Sequence, residues 1–109
     1  MAQAYLSVPL HEESKPLTAF PALGGLYEFQ STPFGLLTSG ASYNRVAQQI
    51  KEAVNEATYR VYVDDSLAAT LDDFEVHLKM LEKVLLAHEQ AGVLLSPSKT
   101  KLFLSLIHI

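Results

Sequence analysis

"YRVYVDDSLAAT", Tyr59 to Thr70, sets two adjacent aspartates in the middle of a β-favouring, mostly apolar stretch. Strands disfavour aspartate, and neighbouring carboxylates repel each other. The flanks, Thr58 to Val63 and Ser66 to Thr70, read as two strands with Asp64-Asp65 as the turn between them. Two-residue hairpin turns favour Asp-Gly or Asn-Gly because positive φ is needed there, so Asp-Asp followed by Ser is a poor turn sequence. The residues alone leave two readings open. One is a solvated turn. The other is a cation site, in which carboxylates pushed beyond the sheet edge hold a hydrated Mg²⁺ together with substrate phosphates.

The chain supplies its own comparison, since all four of its aspartates come in adjacent pairs. Asp72-Asp73 opens a predicted helix, where carboxylates suit the positive end of the helix dipole. Structure alone accounts for that pair. Asp64-Asp65 has no equivalent explanation.

Outward from the hairpin the periodicity is helical on both sides. Tyr43, Val46, Ile50, Val54 and Ala57 predict an amphipathic helix from Ser39 to about Ala57, with Ser39 or Ser42 as N-cap. Phe74, Leu78, Leu81, Leu85 and His88 predict a second helix from about Leu71 to Gln90. Thr70 and Asp73 form a variant capping box, and Gly92 ends the helix. Ala4 to Leu10 alternates like a half-buried strand, and Gly24-Gly25 between two β-favouring runs signals a hairpin. "VLLSPSKTKLF" (Val93 to Phe103) reads as strand, turn and strand. The expected order is β-β-β-α-β-β-α-β, an α+β fold with an antiparallel sheet and two helices packed on one face. Leu104 to Ile109, "LSLIHI", follow no turn or cap and read as a non-native tail like a translated sequencing adapter.

The 109 residues, 49% hydrophobic, support one modest core and one domain. A formal net charge of −4 is the wrong sign for a free-standing nucleic-acid binder, so any phosphate contacts must come largely from other parts of a larger protein. Without cysteine there are no disulfides or thiolate metal sites. No apolar run reaches the length of a membrane span and no signal peptide opens the chain, so the reading is an intracellular domain or a piece of one.

"YVDD" (Tyr62 to Asp65) resembles the Tyr-x-Asp-Asp motif of reverse transcriptases. "AYLSVPLHEESKPLTAF", "YEFQSTPFGLLTSGASYNR" and "HLKMLEKVLLAHEQAGVLLSPSKTKLF" are similar, in order and spacing, to the blocks that flank it in retroviral and retrotransposon enzymes. The resemblance spans residues 1 to about 103. It implies a partial polymerase palm from a retroelement polyprotein, performing RNA-directed DNA polymerisation by two-metal nucleotidyl transfer.

The resemblance makes Asp64 the main Mg²⁺ ligand, with Asp65 beside it. Tyr5 matches the aromatic position under the sugar of the incoming nucleotide, which excludes a 2′-hydroxyl. Phe34 and Gly35 match the nucleotide pocket, and Lys99 falls near a lysine close to the triphosphate. Implied partners are an RNA or DNA template-primer, a dNTP, and the fingers, thumb and ribonuclease H domains, with cytoplasm or retroelement particles as the location. Each residue also has a plain reading: Tyr5 as a strand aromatic, Phe34-Gly35 as a loop anchor, Lys99 as a surface charge. His77 and His88 read as packing or surface residues, and Glu12-Glu13 as a solvated loop.

The chain departs from the family in two places. Ser39-Gly40 stands where the family's helix normally begins near Ala-Pro. The alignment also puts the first catalytic aspartate immediately before Met1, which implies a truncated fragment inactive by itself. The rival readings are a non-catalytic α+β interaction module, such as a domesticated remnant, and a small metal-dependent nuclease or phosphatase.

Overall fold

The two amphipathic stretches wind into helices, and the fold is organised around their contact. The computed structural model describes residues 4–71 and 73–104. Helix α1 spans Ser39–Val54 and helix α2 spans Phe74–Ala91. Strand β1 (Phe20–Ala22) pairs antiparallel with β2 (Gly25–Tyr27), and β3 (Tyr59–Tyr62) pairs antiparallel with β4 (Asp65–Ala68). The fold is α+β. Its strands form two separate two-stranded ribbons, not one continuous sheet.

Helix α1 buries the face its periodicity predicts. Tyr43, Ala47, Ile50 and Val54 are buried, Val46 packs against them, and Ala57 lies beyond the helix end. Its start differs from expectation. Thr38 is the N-cap and makes no side-chain capping bond, while the Ser39 hydroxyl donates to the Pro33 carbonyl at 2.9 Å. Asn55, at φ 49°, closes the helix in the left-handed conformation that asparagine tolerates.

Helix α2 packs through a different stripe from the one expected. Met80, Val84, Ala87 and His88 are buried, whereas Phe74, Leu78 and Leu85 are exposed. Apolar residues recur nearly all round this helix, with the leucines on one side and Met80, Val84 and Ala87 on another, so spacing alone does not single out a core face. Contact with α1 and β3 selects the stripe, and the small Ala87 leaves room for close approach. Asp73, not Thr70, caps the helix: its carboxylate accepts from the Val76 N–H at 3.2 Å. The Thr70 hydroxyl instead meets His77 Nδ1 at 2.8 Å. Gly92 ends the helix at φ 69°. Asp72 lies outside the described residues.

The main core joins Ile50 and Val54 of α1, Tyr59 of β3, Met80, Val84 and Ala87 of α2, and Val93. A Lys83–Glu56 ion pair at 2.5 Å ties α2 to the loop that follows α1. The radius of gyration is 17.1 Å, against about 13 Å for a compact domain of 100 residues. The core therefore holds one part of an elongated chain.

Three expected strands are replaced. Residues Ala4–Ser7 form a 3-10 helix, and a second 3-10 helix spans Glu12–Thr18. The stretch between runs beside residues 30–32, through Thr32 N–H to Val8 O (2.8 Å) and Leu10 N–H to Gln30 O (3.0 Å). Pro9 has no N–H to extend that ladder. Residues 93–104 hold no strand: Ser96 accepts from Lys99 and Thr100 in a turn, and Phe103 stacks on Phe74 at 5.4 Å. Residues 105–109 of the expected tail lie outside the described residues.

Candidate functional site

The aspartate hairpin is one residue out of its expected register. Tyr62 pairs with Asp65, so the two-residue turn is Val63-Asp64 and Asp65 is the first residue of β4. A tight turn of this kind needs positive φ at its first central position, and Val63 takes it at φ 53°. A β-branched residue in that region is strained.

The register also separates the two carboxylates. Residues directly opposite in an antiparallel pair share a face. Tyr59 and Val61, opposite Ala68 and Ser66, form the inward face, on which Tyr59 is buried and Val61 half-buried. Arg60 and Tyr62, opposite Leu67 and Asp65, form the outward one. Asp65 therefore shares the outward face with Tyr62, while Asp64 occupies the exposed tip.

Asp64 lies beside an aromatic group that reaches into the second core cluster. Tyr43 and Ala47 of α1 are buried there, with Tyr5, Val8 and Val61 packed against them. The Tyr43 phenol is pushed up to about 12, first by burial and then by the negative charge of Asp64. The Tyr5 ring lies 5.5 Å from Tyr43 and 5.5 Å from Phe34, the latter edge-on at 76°. Phe34 is exposed and borders an open apolar groove of about 480 Å³ that includes Leu6, Leu17 and Phe29. Gly35 follows at φ 85°; a side chain there would meet open space, so the backbone alone demands glycine. Ser39 fixes this loop onto the start of α1 through its bond to Pro33.

The structure thus links Asp64, Tyr5 and Phe34, with Gly35 next in the chain, through Tyr43 and its contact with Tyr5. Tyr5 joins from a 3-10 helix, not from the strand its alternation suggests. Lys99 is elsewhere in character: it is exposed in the 97–99 turn, its N–H bonded to the Ser96 carbonyl. His88 is a core residue, with Nδ1 2.8 Å from the Val84 carbonyl and its pKa pushed down by burial. His77 stacks on Phe103, and Glu12 pairs with Lys15 at 2.6 Å on the surface. Tyr43 and Ser39 were legible in sequence only as a core position and a cap. No spacing signal gives either its place beside the site residues.

Aspartate oxygens are hard donors suited to Mg²⁺. Among the described residues no group of three His, Cys, Asp or Glu side chains converges. Among the same residues, no helix is long and apolar enough to cross a membrane.

The comparisons with known proteins agree on one family. Residues 1–107 match the model of the reverse transcriptase (RNA-dependent DNA polymerase) family. A retrovirus-related Pol polyprotein from the Drosophila melanogaster transposon opus is 31% identical over 92% of this chain and 10% of its own length. The enzymatic polyprotein of cauliflower mosaic virus (strain D/H) is 34% identical over 91% of this chain and 14% of its own. Among solved structures, the prototype foamy virus protease–reverse transcriptase CSH mutant superposes with a TM-score of 0.71 at 33% identity, covering 84% of this chain and 12% of that one. The chain therefore spans about a tenth of the length of such relatives. Tyr62 to Asp65 sits inside the matched region, on a fold shared with a solved reverse transcriptase, and the chain belongs to the reverse transcriptase family.

Proposed function

We propose that this chain is the portion of a retroelement reverse transcriptase palm that presents the Tyr-x-Asp-Asp carboxylates, within residues 1–103. The observation that carries the reading is the Val63-Asp64 turn. It lifts Asp64 to an exposed tip beside the Tyr5–Tyr43 aromatic contact. Asp64 and Asp65 would hold Mg²⁺. When bound, the ion neutralises charge on the transferring phosphates and on the attacking and leaving oxygens. Tyr5 would wall the sugar side of the incoming dNTP, Phe34 and Gly35 would line its pocket, and Lys99 would attract the triphosphate. The template-primer and the fingers, thumb and ribonuclease H domains belong to the longer polyprotein.

The isolated chain should be inactive, because the described residues bring no third carboxylate to the pair. Primer extension with Mg²⁺, dNTPs and a primed RNA template tests this. The purified 109-residue chain should give no product. The polyprotein-derived enzyme carrying these residues should extend the primer and lose that activity with Asp64→Asn. Extension by the chain alone, or full activity in the Asp64→Asn enzyme, would overturn the reading.

A further inference from the structure

Tyr43 is 1% exposed and belongs to a helix, yet its surroundings come from three separate elements. Its ring meets Tyr5, from the N-terminal 3-10 helix, at a centroid distance of 5.5 Å and an angle of 56°. Val61 of β3, two residues before the turn, packs on the same Tyr43–Ala47 pair. Asp64, at the tip of that hairpin, is close enough for its charge to act on the Tyr43 phenol. Tyr5 itself is half-buried and its 3-10 helix is only four residues long, so its own element holds it weakly.

We propose that Tyr43 is a positioning residue for sugar selection: its ring, fixed in α1, holds Tyr5 at a set distance from the Asp64 hairpin. The sugar wall and the metal ligands then keep one register. A Tyr5 freed from this contact can tilt toward Phe34, with which it shares an edge-on contact, and open space for a 2′-hydroxyl. An aromatic contact stabilises a side-chain position beyond its buried area, enough to change its population several-fold. This inference rests on the polymerase reading of the site given above.

The test uses the polyprotein-derived enzyme carrying this chain, and compares kcat/KM for dNTP and for the matching rNTP. Tyr43→Leu, which removes the ring, should lower the dNTP-to-rNTP ratio several-fold, chiefly by raising rNTP use. Tyr43→Phe, which keeps the ring, should hold the ratio within two-fold of wild type. If Tyr43→Leu fails to fold, Tyr43→Met fills the same volume without a ring and should show the same loss. The proposal is overturned if the ring-removing variant depresses dNTP and rNTP use equally, which is what a merely structural role predicts. It is also overturned if Tyr43→Phe loses selectivity as Tyr43→Leu does. Failure of the underlying reading looks different: the wild-type enzyme, or its Asp64→Asn variant, then departs from the extension results stated above.

Discussion

His88 offers the sharpest test of how the core is built. It is 2% exposed, its Nδ1 meets the Val84 carbonyl at 2.8 Å, and its Nε2 is buried without a hydrogen-bond partner. An unpaired buried polar atom costs about 1–3 kcal/mol. The Val84 carbonyl is also the acceptor for the helix's own i+4 N–H, so losing the imidazole leaves it satisfied. His88→Leu should therefore stabilise the chain by about 1–2 kcal/mol at pH 7, offset only by imperfect filling of the site. The pH dependence gives a second reading. Burial lowers the folded-state pKa of His88 below its usual value near 6.5. Above about pH 6.5 both states hold the ring neutral, and it contributes no slope. Below that, the unfolded chain takes up a proton that the native chain refuses, so stability falls with acid by at most about 1.4 kcal/mol per pH unit. The fall ends once the lowered folded pKa is passed. Urea unfolding followed by circular dichroism from pH 7.5 to pH 5 measures both effects. The difference between wild type and His88→Leu should be flat above pH 6.5 and widen below it. A variant less stable than wild type at pH 7, with a parallel pH profile, would refute this account of the site.

Three further outcomes follow from the hairpin and the helix caps. Val63→Gly should relieve the positive-φ strain and stabilise the hairpin by about 1 kcal/mol, read as a raised urea midpoint; a lowered midpoint would contradict the strain. Asp73→Ala removes the α2 cap and should cost about 1 kcal/mol by the same measurement, with no loss expected for Asp73→Asn or Asp73→Ser, which still accept from Val76. Titration calorimetry of the chain with Mg²⁺ should show binding weaker than about 1 mM, because two carboxylates without phosphates leave most ligands as water. A micromolar isotherm abolished by Asp64→Asn would show that the pair is completed by groups not counted here.

Sequence alone determined what depends on local spacing. The periodicity of Tyr43, Ile50 and Val54 fixed α1 and its buried face, Gly92 marked the end of α2, and Tyr62 to Asp65 marked the hairpin and the family. Tertiary structure decided what depends on which surfaces meet. In α2, apolar residues on several faces offered more than one stripe, and packing with α1 and β3 chose Met80, Val84 and Ala87, with His88 also buried. Ala4 to Leu10 alternates like a strand, but alternation needs a partner with free N–H and C=O groups, and among the described residues it is residues 30–32 that meet part of it there. In the hairpin, pairing of Tyr62 with Asp65 moved the turn to Val63-Asp64, and a one-residue shift of register changes the face of every side chain. That shift sends Asp65 outward and leaves Asp64 at the tip beside Tyr43. The carboxylates were visible in the sequence; their separation, and the tyrosine that connects one of them to Tyr5, come from packing between segments far apart in the chain.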